Sequence, residues 1–556
     1  MKKFASITAI AALLLPAALP AQTPTDETPT FSAAAVRSHV AFFADDLLKG
    51  RDTGSEGHEI AARYVASQFE AMGLTPAGDA GADGKPGWLQ QIRFQQTDNG
   101  AIPGTVTVSG PAGEKSWKHA TDVIIGLNPA ELQQDVSAPL VFVGYGIENA
   151  KLGINDYAGL DVKGKIVVTL RGFPKGMPSE EAAHLSATKQ QVAQSHGAIG
   201  LFSIGTILSM KTRPWSRVVK FADEPDVRWI GDDGKPFTEA PGIRVYGSLN
   251  DPAAEAVFAG APKSIAALRK EADKTGGRPK GFALKTSLRV QMSGVAKSIT
   301  SPNVVGVLPG SDPALKDEYV VLSAHLDHIG VSPAKPDDKP GTDYINNGAL
   351  DNAAGVATML EVARAMAASP KKPRRSIIFV ASTGEEKGLL GADFYARHAG
   401  MAKGRIVGNV DLDMPVLLYP FTDVIAYGAD HSTLGAIVRK ALAPMKVSLS
   451  PDPIPQEVIF VRSDHYMFVK QGVPAVFLAT GYANGGQKAN EAFLETNYHG
   501  VGDDMNQKID WEQGARFAEA NYRITRLMAD DDTPPLWYEG DFFGDTFAPA
   551  AKKAKR

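Results

Sequence analysis

The sequence predicts an α/β protein in which a largely parallel sheet is flanked by helices and interrupted by an inserted, mainly-β segment. Two observations carry this reading. From about residue 296 to 530, short apolar runs alternate with helix-period segments, the pattern of strands joined by crossover helices. From about 95 to 292, β-branched runs are separated by turn-rich stretches instead. At 556 residues the chain is also too long for one ordinary core, so more than one structural unit is expected.

The first residues, MKKFASITAIAALLLPAALPAQ, pair Lys2 and Lys3 with an apolar run and a small-residue site near Ala21. That pattern is a signal peptide over 1–21, and Pro16 and Pro20 interrupt it too early for a retained membrane span. No later segment is apolar enough to cross a bilayer, so no stable membrane insertion is expected after signal cleavage. The chain has no cysteine, which excludes a lipoprotein anchor, disulfides and thiolate metal sites. An exported bacterial protein, periplasmic or secreted, is the expectation. A net charge of −4 gives no electrostatic case for nucleic acid binding.

Residues 22–94 form the first part of the larger unit that resumes at 293. After the polar TPTDETPT, apolar residues Ala61, Tyr64, Val65, Phe69 and Met72 recur at helix-face spacing, with GRDTGSEG as a loop before them. Within 95–292, APLVFVGYGI and GKIVVTLRG read as strands on either side of the turn-rich NAKLGINDYAGLDVK. Over 293–530, the runs PNVVGVLPG, EYVVLSAH, RSIIFVAS, RIVGNVDLDM and PAVFLATG read as buried strands. NAAGVATMLEVARAMAA reads as a helix with Val356, Met359, Leu360, Ala363 and Met366 on one face. The tail, 531–556, is Pro-rich with a basic end and reads as mobile or packed on the surface.

In a parallel sheet, ligands bind at the carboxyl ends of the strands. Acids and histidines recur there: His325, Asp327 and His328 after EYVVLSAH, Asp351 before the helix, and Glu385 and Glu386 after RSIIFVAS. Asp411 and Asp413 lie in NVDLDMP, and His499 in NYHGVGDD. Singly, each has a plain structural reading; Asp351 could be only a helix cap. Together, several carboxylates converging on one sheet edge would be strongly destabilising without a cation. Nitrogen and oxygen donors without sulfur suit zinc. Asp351, Glu386, Asp413 and a hydroxide would balance two Zn²⁺, leaving Glu385 free to act as general base.

AHLDH, GALDNAAGVATMLEVARA, FVASTGEEKGLLGA, NVDLDM, SDHYMFVKQGVPAVFL and YHGVGDD, in this order, resemble the dizinc aminopeptidase family related to glutamate carboxypeptidase and glutaminyl cyclase. The resemblance covers about half the chain, and the opening LLKGRDTGSEGHEIAARYVASQFEAMGL is similar too. The 95–292 segment resembles the protease-associated domain inserted in that fold. The resemblance implies a zinc-exopeptidase-like sheet holding two Zn²⁺ per chain. Asp351 would bridge, His325 and Asp413 would complete one zinc, and Glu386 and His499 the other. It makes Glu385 the base, Asp327 a residue holding the His325 ring, and Tyr498 either a carbonyl-polarising phenol or a packing residue. His465 falls in a family motif but not at a ligand position, which leaves substrate contact. Asp413 is favoured over Asp411 because LDM matches the family core. Peptide is the implied substrate. A carboxypeptidase or dipeptidase uses the same metals and would draw on a basic residue such as Arg462. A non-catalytic binding protein is the rival from another class.

Overall fold

The computed structural model describes residues 29–335, 338–400 and 404–556, so the signal-peptide reading lies outside the described residues. The catalytic part is built on the strands Glu318–His325, Ser376–Ser382, Arg405–Asp411 and Ala475–Thr480. Ser376–Ser382 and Arg405–Asp411 flank Glu318–His325 in parallel, and Ala475–Thr480 lies parallel beyond Arg405–Asp411. Asp423–Tyr427 adds antiparallel to Ala475–Thr480. Both faces of this sheet are buried, which is why its strands read as unbroken apolar runs. Val320, Leu322, Ile377 and Phe379 enter one core, and Val321, Ile378 and Val380 enter the other. Each such side chain contributes about 1.5–3 kcal/mol of burial.

The helices Ala33–Phe43, Ala354–Ala368 and Trp511–Asp530 pack against one another over the first face. The second face is covered by Leu390–Arg397, His465–Lys470 and, from the tail, Phe542–Phe547. The tail is therefore packed, with Trp537 and Phe543 inside the second core and Trp537 Nε1 donating to Gly472 O at 2.8 Å.

One strand, Phe282–Leu308, runs through both parts of the molecule. Its first half pairs with Thr105–Gly110 and Gln133–Phe142 of the inserted part. Its middle pairs with Leu89–Asn99, and its end with Ser376–Ser382 of the catalytic sheet. The sequence boundaries at 94/95 and 292/293 thus fall inside paired strands, and an antiparallel ribbon runs across both. Residues 95–292 are also less purely β than the sequence reading expects. Helices Ser179–Ala187, Lys189–Ser195, Asp251–Val257 and Ile265–Ala272 pack among the strands there.

Candidate metal centre

The strand Glu318–His325 delivers His325 to the carboxyl edge of the sheet, where its side chain is 2% exposed. Its Nε2 lies 3.1 Å from Asp413 Oδ1 and 3.3 Å from Asp351 Oδ1. The other oxygen of Asp351 faces His499 Nε2 at 3.3 Å, and that nitrogen is 3.0 Å from Glu386 Oε2. Asp351 therefore stands between two donor groups, one with His325 and Asp413 and one with Glu386 and His499. Its carboxylate is no helix cap. The helix begins at Ala354 without a side-chain cap from Ala353, and Asn352 Oδ1 accepts from Gly355 N–H at 3.1 Å instead.

Asn352 fixes the neighbouring segments as well, donating to His325 O and Leu412 O and accepting from Met414 N–H. Asp503 accepts from the backbone N–H groups of Leu350 and Asp351, at 3.0 and 2.9 Å. Behind these loops sits Arg51 from GRDTGSEG, fully buried, donating to the carbonyls of Phe43, Leu326, Asn347 and Gly348. Burial pulls its pKa down to about 10 against the carboxylates around it, Asp503 and Asp327 first. At Gly50, with φ +68°, a Cβ would lie 2.4 Å from Asn346 O, so the approach of this loop requires glycine.

The two adjacent glutamates diverge. Glu386 reaches His499 on one side and His328 Nδ1, at 2.7 Å, on the other. Burial would raise its pKa, but the two histidines hold it down at about 2. Glu385 lines a cavity with Asp351 and Asp413 and makes no side-chain hydrogen bond among the described residues. Burial pushes it well above the usual carboxylate range, with Asp413, Glu386 and Asp464 adding to this against the pull of His325.

Asp327 meets the His325 ring as the sequence reading expects, through its main chain. Its backbone carbonyl, 3.1 Å from His325 Nδ1, orients the ring, while its carboxylate accepts from Thr53 Oγ1 and from the Glu385 N–H. Asp411 accepts from Ser323 and Ser463 hydroxyls, both at 2.6 Å, and is occupied by them. His465 is fully buried against Phe460 and Phe477, so its ring is closed to substrate; its backbone N–H supports Asp411. Tyr498 stacks on His499 with centroids 3.9 Å apart and lines the cavity, its hydroxyl 3.3 Å from Arg462 Nη2. Arg462 also faces Glu457 at 3.8 Å.

Sequence reading placed His328 at the strand ends without giving it a role, and passed over Asp503, Asp464 and Arg51. His328 and Asp503 stand within the motifs HLDHIG and HGVGDD, which was the available signal. His328 matters most, since His328, Asp351 and Glu386 also form a trio of donors within 4.8 Å, beside the trio His325, Asp351 and Asp413. Its Nε2 is buried without a partner among the described residues. An all nitrogen and oxygen donor set, crowded with carboxylates and centred on one two-faced aspartate, fits zinc.

From the same cavity, Met414, Ile425, Tyr427, Ile459, Phe477 and Leu494 form an apolar wall beside the acids.

Known proteins resemble this chain in sequence and in fold. Residues 303–525 match the family described as Peptidase family M28. A probable zinc metalloprotease of Pyrenophora teres f. teres is 38% identical over 112 residues, 20% of this chain and 22% of that protein. A probable leucine aminopeptidase 2 of Aspergillus oryzae is 27% identical over 226 residues, 37% of this chain and 40% of that protein. The chain thus spans well under half the length of these relatives. Among solved structures, an aminopeptidase from Aneurinibacillus sp. strain AM-1 superposes with a TM-score of 0.52 at 18% identity, covering 95% of this chain and 98% of that one. At that identity the likeness concerns the fold.

Proposed function

We propose, from the match of residues 303–525 to peptidase family M28, that the protein is an exported zinc-dependent aminopeptidase removing N-terminal residues from peptides. The observation that carries this reading is Asp351 facing His325 with one oxygen and His499 with the other, beside a cavity that Glu385 lines. In this reading His325, Asp351 and Asp413 hold one zinc, and Asp351, Glu386 and His499 the second. His499 is preferred to His328 because its Nε2 lies within 3.3 Å of both Asp351 and Glu386, whereas His328 comes that near to Glu386 alone. When bound, the metals supply a Lewis acid and an acidified water.

The chain's own groups do the rest. The N–H of Glu385, held by Asp327, fixes the loop from which its carboxylate enters the cavity. Glu385 takes a proton from the attacking water and returns it to the leaving amine. The Tyr498 hydroxyl, oriented by Arg462, donates to the carbonyl oxygen as charge develops on it. The apolar wall receives the side chain of the first residue, and Asp351, Glu385 and Asp413 offer an environment for its ammonium group. The inserted part, read as a protease-associated domain, walls the approach. Arg462 favours the second reading, a carboxypeptidase, since it stands in the same cavity; its pairing with Glu457 and Tyr498 opposes that role.

Export rests on the leader pattern of residues 1–21, and among the described residues no helix is long and apolar enough to cross a membrane. The test is release of free leucine from a leucyl anilide, abolished by a chelator and restored by zinc. Turnover unaffected by chelation would contradict it.

A further inference from the structure

A second cavity, of about 790 Å³, adjoins the proposed centre and shares Arg462, Tyr498 and His499 with the apolar one. The inserted part contributes Arg171, Arg213 and Arg217 to its wall. These arginines are poorly neutralised. Arg213 and Arg462 share the single carboxylate of Glu457, at 3.4 and 3.8 Å. Arg171 donates to Ser248 Oγ at 2.8 Å, and among the described residues neither it nor Arg217 has a carboxylate at ion-pair distance. The other acids of the wall do not fill the gap. Asp52 pairs with Lys387, Glu386 faces the histidines, and Glu224 makes no ion pair with these arginines among the described residues. Burial lowers both Arg171 and Arg213, and each is lowered further by a neighbouring arginine.

Holding guanidinium groups together, partly out of water and short of counter-charge, is costly unless an anion joins them. The fork of an arginine matches a carboxylate in particular. Given the peptidase reading above, on which this inference rests, the apolar cavity takes the first residue. The arginine-lined cavity, which adjoins it through Arg462, Tyr498 and His499, then receives the departing peptide. We propose that Arg171, Arg213 and Arg217 form a subsite for a carboxylate carried one or two residues beyond the scissile bond. That carboxylate is either the C-terminus of a di- or tripeptide or an acidic side chain of a longer one.

Two substrate pairs separate these sources: Leu-Ala-Ala against its amide, and Leu-Ala-Asp-Ala-amide against Leu-Ala-Asn-Ala-amide. The readout is the ratio of kcat/KM within each pair, so it does not depend on the basal rate of a variant. At least one ratio should favour the carboxylate by about tenfold or more, the scale of a hydrogen bond to a charged group. A preference in the first pair identifies the C-terminus, and in the second the side chain. The ratio should fall towards one in Arg171→Gln and in Arg217→Gln, the latter at an exposed position where folding is not at stake. Ratios near one in the wild type, or a preference kept in both variants, would overturn the subsite. Failure to cleave any of the four peptides or a leucyl anilide would instead overturn the peptidase reading.

Discussion

Glu386 Oε1 lies 2.7 Å from Nδ1 of His328, a buried ring that anchors this glutamate while its neighbour Glu385 stays without a side-chain partner among the described residues. Two adjacent carboxylates thus occupy different environments, as the proposed division between a metal-holding and a proton-handling role requires. Glu385→Gln should retain bound zinc and lower kcat by about 10²–10⁴, the usual range for losing a general base. Glu386→Gln should weaken zinc by at least about tenfold. Metal analysis beside turnover decides this, and the reverse pattern would exchange the two roles.

The purified protein should hold two zinc equivalents per chain, and four variants locate them. Asp413→Ala and His499→Ala should each lose one equivalent. His328→Ala should keep two, with affinity reduced about 10- to 100-fold through loss of its support of Glu386. Asp411→Ala should also keep two but unfold more easily. It leaves the Ser323 and Ser463 hydroxyls without their acceptor, at about 1–3 kcal/mol for each unsatisfied group. Loss of zinc in Asp411→Ala with retention in Asp413→Ala would move the ligand by two residues.

His431 ties three segments together. Its Nε2 is 2.6 Å from Glu180 in the inserted part, and its Nδ1 is 2.6 Å from Asp541 in the tail. Burial alone would lower its pKa, but the two carboxylates raise it from 6.5 to about 10. A folded pKa above the unfolded one means that the charged pair stabilises fully below about pH 6.5 and is lost as pH rises through about 10. His431→Gln should therefore cost about 3–5 kcal/mol at pH 6, as expected when a buried pair loses one partner. The gap to wild type should narrow by pH 10. Denaturant melts across this range read it, and a gap that stays constant or widens would contradict the assignment.

The catalytic sheet was legible because both its faces are buried, so EYVVLSAH, RSIIFVAS and PAVFLATG stand out as apolar runs. Strand-end chemistry followed from that, and the donors expected at the edge, His325, Asp351, Glu386, Asp413 and His499, do stand together. The long strand Phe282–Leu308 was harder to see. Its middle forms a partly exposed ribbon where Lys297, Ser298 and Thr300 break the apolar pattern. Sequence names Asp327 beside the His325 ring but not which of its groups is used; here the carbonyl lies 3.1 Å from Nδ1. The environment of His465 depends on Phe460 and Phe477 closing over it. Arg171, Arg213 and Arg217 lie far from the motifs in sequence, and only the packing of the inserted part brings them to the cavity wall.

The central claim, that this centre acts on free N-termini, is tested most directly with two peptides of one sequence beginning with leucine. One is N-acetylated with a free C-terminus, the other C-amidated with a free N-terminus, and both are long enough to extend beyond the arginine-lined cavity. The released residue is identified by mass spectrometry. The account predicts loss of leucine from the amidated peptide and little action on the acetylated one. Trimming of the acetylated peptide from its C-terminus, abolished in Arg462→Ala while the amidated peptide stays intact, would contradict it and make the protein a carboxypeptidase.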